Sequence, residues 1–118
     1  MDVKSAISTL SQGEKIKAGL IWASQSIELL QGLGAVERAG GIHVVKGLCA
    51  MIGHEVALVR TVTGDPAWDD VLPQLDRALV MIESGVPREA TGHLSGALSR
   101  TTSILQRRMS FLTREGML

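Results

Sequence analysis

Tyrosine is missing from this chain of 118 residues, while phenylalanine and cysteine occur once each, tryptophan twice and proline three times. Each shortage excludes something. A lone cysteine, Cys49, cannot close an internal disulfide, and its apolar neighbours mark it as a small core residue. Neither sign of charge is in excess: twelve Lys and Arg balance twelve Asp and Glu. That balance argues against a nucleic-acid-binding domain, which is normally basic. Residues with strong strand preference are few, and no run alternates with period two, so β-structure is not expected. No stretch reads as the roughly 18 apolar residues that a membrane span needs. Met1-Asp2-Val3-Lys4-Ser5 lacks the basic start and apolar run of a signal peptide. A cytoplasmic protein is therefore expected, with neither a membrane nor a nucleic acid as partner.

What is present is apolar and helical in its spacing. Apolar residues make up 45% of the chain, enough for one core, and the length fits a single domain over residues 1–118. A neutral, mildly apolar chain has little charge to keep copies apart, so self-association or a covering partner is expected. Ser11 followed by Glu14 is a capping-box pattern that predicts a helix start near Gln12, with a short leading helix before Ser11. Ile16, Leu20, Ala23, Ile27 and Leu30 then form one stripe, which Gly32 and Gly34 end.

A second helical segment spans about Val36 to Thr63, with Ile42, Val45, Cys49, Ile52, Val56 and Val59 as its core stripe. Gly40, Gly41, Gly47 and Gly53 each cost about 1 kcal/mol against alanine, which predicts a break near Gly53 and a shorter helix from His54 to Thr63. Thr63-Gly64-Asp65-Pro66 is a turn, after which Trp68 is expected to staple the next helix. Pro73 belongs in a first turn, placing that helix start near Asp69 or Asp70, with Leu72, Leu75, Leu79 and Ile82 inward. Ser84-Gly85-Val86-Pro87 separates it from a last helix over about Arg88 to Arg114. Short connections between amphipathic helices make antiparallel neighbours, so the expected fold is all-α: an up-and-down four-helix bundle with short extra pieces.

One stretch suggests chemistry. His43, Lys46 and Gly47 share a helix face, because positions three and four apart are neighbours there. Together they offer a nucleophilic ring, a cation beside it and a gap where a side chain would otherwise stand. The pattern His43-x-x-Lys46-Gly47, with Gly53 ten positions after the histidine, resembles the signature of histidine-containing phosphotransfer (HPt) domains. The resemblance implies a phosphorelay bundle in two-component signalling, with a receiver domain or a histidine kinase as partner. His43 would be the phospho-acceptor, Lys46 would offset charge on the phosphoryl oxygens, and Gly47 would leave room for the modified ring. It implies no cofactor of the chain's own, since Mg²⁺ belongs to the receiver.

Other readings of the same residues compete. Gly40, Gly47, Ala50, Gly53 and Ala57 could let two helices approach closely, making the chain a non-catalytic interaction module: an adaptor, a chaperone or an oligomerising subunit. His43 and His54 stand eleven residues apart, too far along one helix to share a metal ion. No Gly-rich phosphate loop and no Ser-His-Asp set is present, so no self-sufficient catalytic site is expected. Arg100, Arg107, Arg108 and Arg114 read as a solvated face, and Trp22 and Trp68 as core or interface anchors.

Overall fold

In a computed structural model that describes residues 2–117, the chain forms α1 (Val3–Leu30), α2 (Ala35–Thr63), a 3-10 segment (Pro66–Asp70), α3 (Leu72–Glu83) and α4 (Pro87–Arg114). The connections at residues 31–34, 64–71 and 84–86 are short, so successive helices run antiparallel. α1 packs on α2 and α4, and α3 packs on α4 and α2, which closes an up-and-down bundle. It is elongated, 53 × 22 × 18 Å.

α1 begins at Val3, not near Gln12. Asp2 caps it by accepting the Ser5 N–H at 2.7 Å. The buried stripe then runs unbroken through Ala6, Thr9, Gly13 and Ile16 to Leu30. Ser11 is an exposed residue inside this helix and caps nothing. Gly13 belongs to the stripe, and a Cβ there would collide with the Leu105 side chain.

α2 is likewise continuous, against the expected break at Gly53. Val45, Cys49, Ile52, Val56 and Val59 are buried along its whole length, and that packing outweighs the local glycine penalty. At Gly41 the missing side chain makes room for Leu30, whose end methyl would have to shift to admit a Cβ. Gly64, at φ 67°, ends the helix in the left-handed conformation that glycine adopts without strain. α2 also departs from the sequence expectation about membranes. By length and composition alone, at a mean hydropathy of 1.5 over 18 residues, it is long and apolar enough to cross a membrane.

Trp68 is the largest fully buried side chain and lies under the 3-10 segment. That segment displaces the start of α3 to Leu72, past Asp69 and Asp70. Asp65 caps it by accepting the Ala67 N–H at 3.0 Å. The same carboxylate receives the Arg108 guanidinium of α4, with Nε at 2.9 Å from Oδ2. Both partners are largely buried. Arg108 therefore does not belong to the solvated arginine face that the sequence suggests. Burial would raise the Asp65 carboxyl, but the Ala67 N–H and Arg108 outweigh it and hold it below the usual carboxylate range.

Candidate functional site

The candidate site lies on the side of α2 opposite its core stripe. At about 100° per residue, Gly40, His43, Gly47, Ala50 and Ala57 fall on the outward face, turned away from Val45, Cys49 and Val56. His43 is exposed there, eight residues past the first residue of α2 and six before its midpoint at Cys49. Gly47, one turn further on, is also exposed.

The small residues on this face do not serve contact between the chain's own helices. A Cβ added at Gly40, Gly47 or Gly53 would meet nothing within 4 Å. Close approach occurs elsewhere, at Gly41 against Leu30 and at Gly19, where Ile52 Cγ1 would stand 3.1 Å from a Cβ. The face around His43 is open.

Lys46 sits at the edge of this face, toward α3. Its Nζ is 3.8 Å from Glu83 Oε1, and both side chains are partly exposed. A pair that long and that wet contributes little and does not fix the ammonium in place. A neighbour three residues from His43 on a helix is within reach of anything held on the ring. Cys49 lies on the core side, fully buried, and burial pushes its thiol up to about 11. It remains a neutral thiol at neutral pH and plays no nucleophilic part. Among the described residues, no group of three or more His, Cys, Asp or Glu side chains is placed to hold a metal ion.

Sequence reasoning missed a second surface. Trp22, read as an anchor in a core or interface, is 62% exposed on α1. Beside it on α2 a second apolar stripe stands next to the core stripe: Val44, Leu48, Met51, Leu58 and Val62, at alternating four- and three-residue spacing interrupted only by Glu55. Apart from Leu48, which is partly buried, these are exposed. The signal was present in the spacing, but one core stripe already satisfied the pattern sought.

Comparison with known protein families, with curated proteins and with solved structures finds no match to this chain.

Proposed function

We propose that this bundle is a phosphoryl carrier of the HPt kind, in which His43 accepts a phosphoryl group from a partner protein and passes it on. The observation that carries this reading is an exposed His43 on a helix face where Gly40 and Gly47 leave open space on either side. A docking protein needs that clearance to bring a phosphorus atom in line with a ring nitrogen.

The chemistry asked of the chain is small. The unprotonated nitrogen of a neutral imidazole attacks the phosphorus of an aspartyl phosphate on the partner. The N–P bond forms while the P–O bond to the aspartyl carboxylate breaks, and that carboxylate leaves with the electron pair. The ring carries the positive charge until its other nitrogen gives up its proton. Reversal against a second receiver's carboxylate completes the relay. Lys46 can swing from its weak contact with Glu83 to offset charge on the phosphoryl oxygens. Metal and in-line catalytic groups come from the receiver.

The test is incubation with a panel of phosphorylated receivers and Mg²⁺, reading acid-labile phosphate on the chain. The expected outcome is labelling of the wild type and complete loss in His43→Gln, with the helical circular dichroism of both unchanged. Absence of label across the panel, or label that survives His43→Gln, overturns the reading.

A second reading, a non-catalytic interaction module, is favoured by a separate observation. The exposed side chains of Trp22, Val44, Met51, Leu58 and Val62 make an apolar surface that water alone covers poorly. Loss of a binding partner on substitution at Trp22 or Met51, with no phosphate ever found on His43, would favour this module over the carrier.

A further inference from the structure

The seam between α1 and α2 carries its own consequence. Two hollows lie along it. One, of about 390 Å³, is walled by Trp22, Leu48 and Met51. The other, of about 290 Å³ and nearer the start of α1, is walled by Ile7, Leu58 and Val62. Between them Lys15 and Glu55 bridge the helices with Nζ and Oε1 2.8 Å apart. Among the described residues these two are the only Lys, Arg, Asp or Glu side chains lining either hollow, with His54 beside them in the first, and each neutralises the other.

We infer that this seam is where a second copy of the chain docks, giving a two-fold symmetric dimer whose core is α1 and α2 of each protomer. Three features select this occupant. The first is size. From Ile7 to Leu29 the seam is about 33 Å long and two helices, about 20 Å, wide, which gives about 1,300 Å² over both copies, within the range of stable interfaces. The second is charge. A two-fold interface sets each patch against its own copy, so an unpaired charge would meet its like. This seam holds one cation and one anion, already joined. The third is the chemistry of the anchors. An exposed tryptophan beside a methionine, flanked by apolar hollows, is the composition of an interface centre. A lipid surface fits less well, because helices that lie on membranes carry lysine and arginine along the seam's flanks, and Lys15 is already engaged.

The dimer does not depend on phosphoryl chemistry. Met51 and His43 are about 80° apart around α2, so His43 stands at the rim of the interface, with Gly47 midway between them. Phosphate on His43 and association state are read by different measurements on different variants, so the two proposals fail separately.

Sedimentation equilibrium of the whole chain tests the inference. The wild type is expected at twice the 12.6 kDa chain mass. Trp22→Glu and Met51→Glu each place a charge on an exposed position, so the fold survives, and each is expected to weaken dimerisation by about 30-fold or more. Ser103→Glu on the exposed face of α4 and His43→Gln are expected to leave the dimer intact. A wild type that stays monomeric up to ~100 µM overturns the inference. So does a dimer indifferent to both seam variants, or a monomer that instead floats with vesicles of mixed neutral and anionic phospholipid.

Discussion

α2 and α4 are nearly equal in length, yet they turn opposite kinds of surface to the outside. α4 buries Ala90, Leu94, Ala97, Ile104 and Leu112 and exposes Ser99, Arg100, Ser103, Arg107 and Arg114. Its sequence has one apolar side and one polar side, as a helix in contact with core and solvent requires. α2 buries a narrower stripe and exposes valine, methionine, leucine, alanine and glycine. Between Ala39 and Val59 its only charged residues are Lys46 and Glu55, and both are paired to other helices. The lesson is that amphipathicity reports what a helix faces: the outer side of α4 matches water, and the outer side of α2 does not.

The hardest way to break this comparison is through a place where α4 does not keep its charge outside. Arg108 turns inward to Asp65, so Asp65→Ala leaves a buried guanidinium without its partner. Unfolding by urea is expected to show a loss of about 3 kcal/mol, whereas Arg107→Ala on the exposed face is expected to cost less than about 0.5 kcal/mol. The pair also predicts a pH dependence. Asp65 is held below its unfolded value, so its contribution is present above about pH 4 and is lost as pH falls through the folded-state value. The stability gap between wild type and Asp65→Asn is therefore expected to close in acid and to be full at neutral pH.

A smaller effect comes from glycine, which has different meanings in different helices. Gly13→Ala in α1 forces a methyl into the Leu105 side chain and is expected to cost about 1–3 kcal/mol in the same urea titration. The smallest effects sharpen the comparison most. Gly47 in α2 and Gly92 in α4 both have open space where a Cβ would go. Alanine at either is expected to add about 0.5–1 kcal/mol of stability. Larger side chains should then separate the two helices: Gly47→Leu is expected to slow phosphoryl transfer to His43, and Gly92→Leu to leave it unchanged. Equal transfer rates in these two variants would mean that α2's outer face is as idle as α4's.

Much of the bundle was legible because its stripes are long and regular. Ile16 to Leu30, Val45 to Val59 and Ala90 to Leu112 are inward-facing residues that period 3.6 alone identifies. What escaped was set by contacts distant in sequence. Ser11 and Glu14 carry a start signal, but Leu105 and Trp68 pack against Gly13 and hold the helix through that point. Gly53 carries a break signal, but Ile52 and Val56, buried in the core on either side of it, carry α2 through as one helix. The 3-10 segment that moves α3 to Leu72 depends on Trp68 having a core to enter. Of the candidate site, the shared face of His43 and Gly47 was legible from spacing, and its openness was not. Glu83, which faces Lys46, comes from another helix and has no signature in the local sequence.

The two tryptophans occupy opposite extremes, one sealed under the 3-10 segment and the other standing in the α1–α2 seam. Light absorbed by this protein is thus divided between an emitter shielded until the chain unravels and one bathed in water until something settles over it. A quencher dissolved in the buffer should dim the second and spare the first. With Trp22→Phe as the blank, one fluorescence titration would report contact at the seam and loss of the fold as two separate signals, with no label attached.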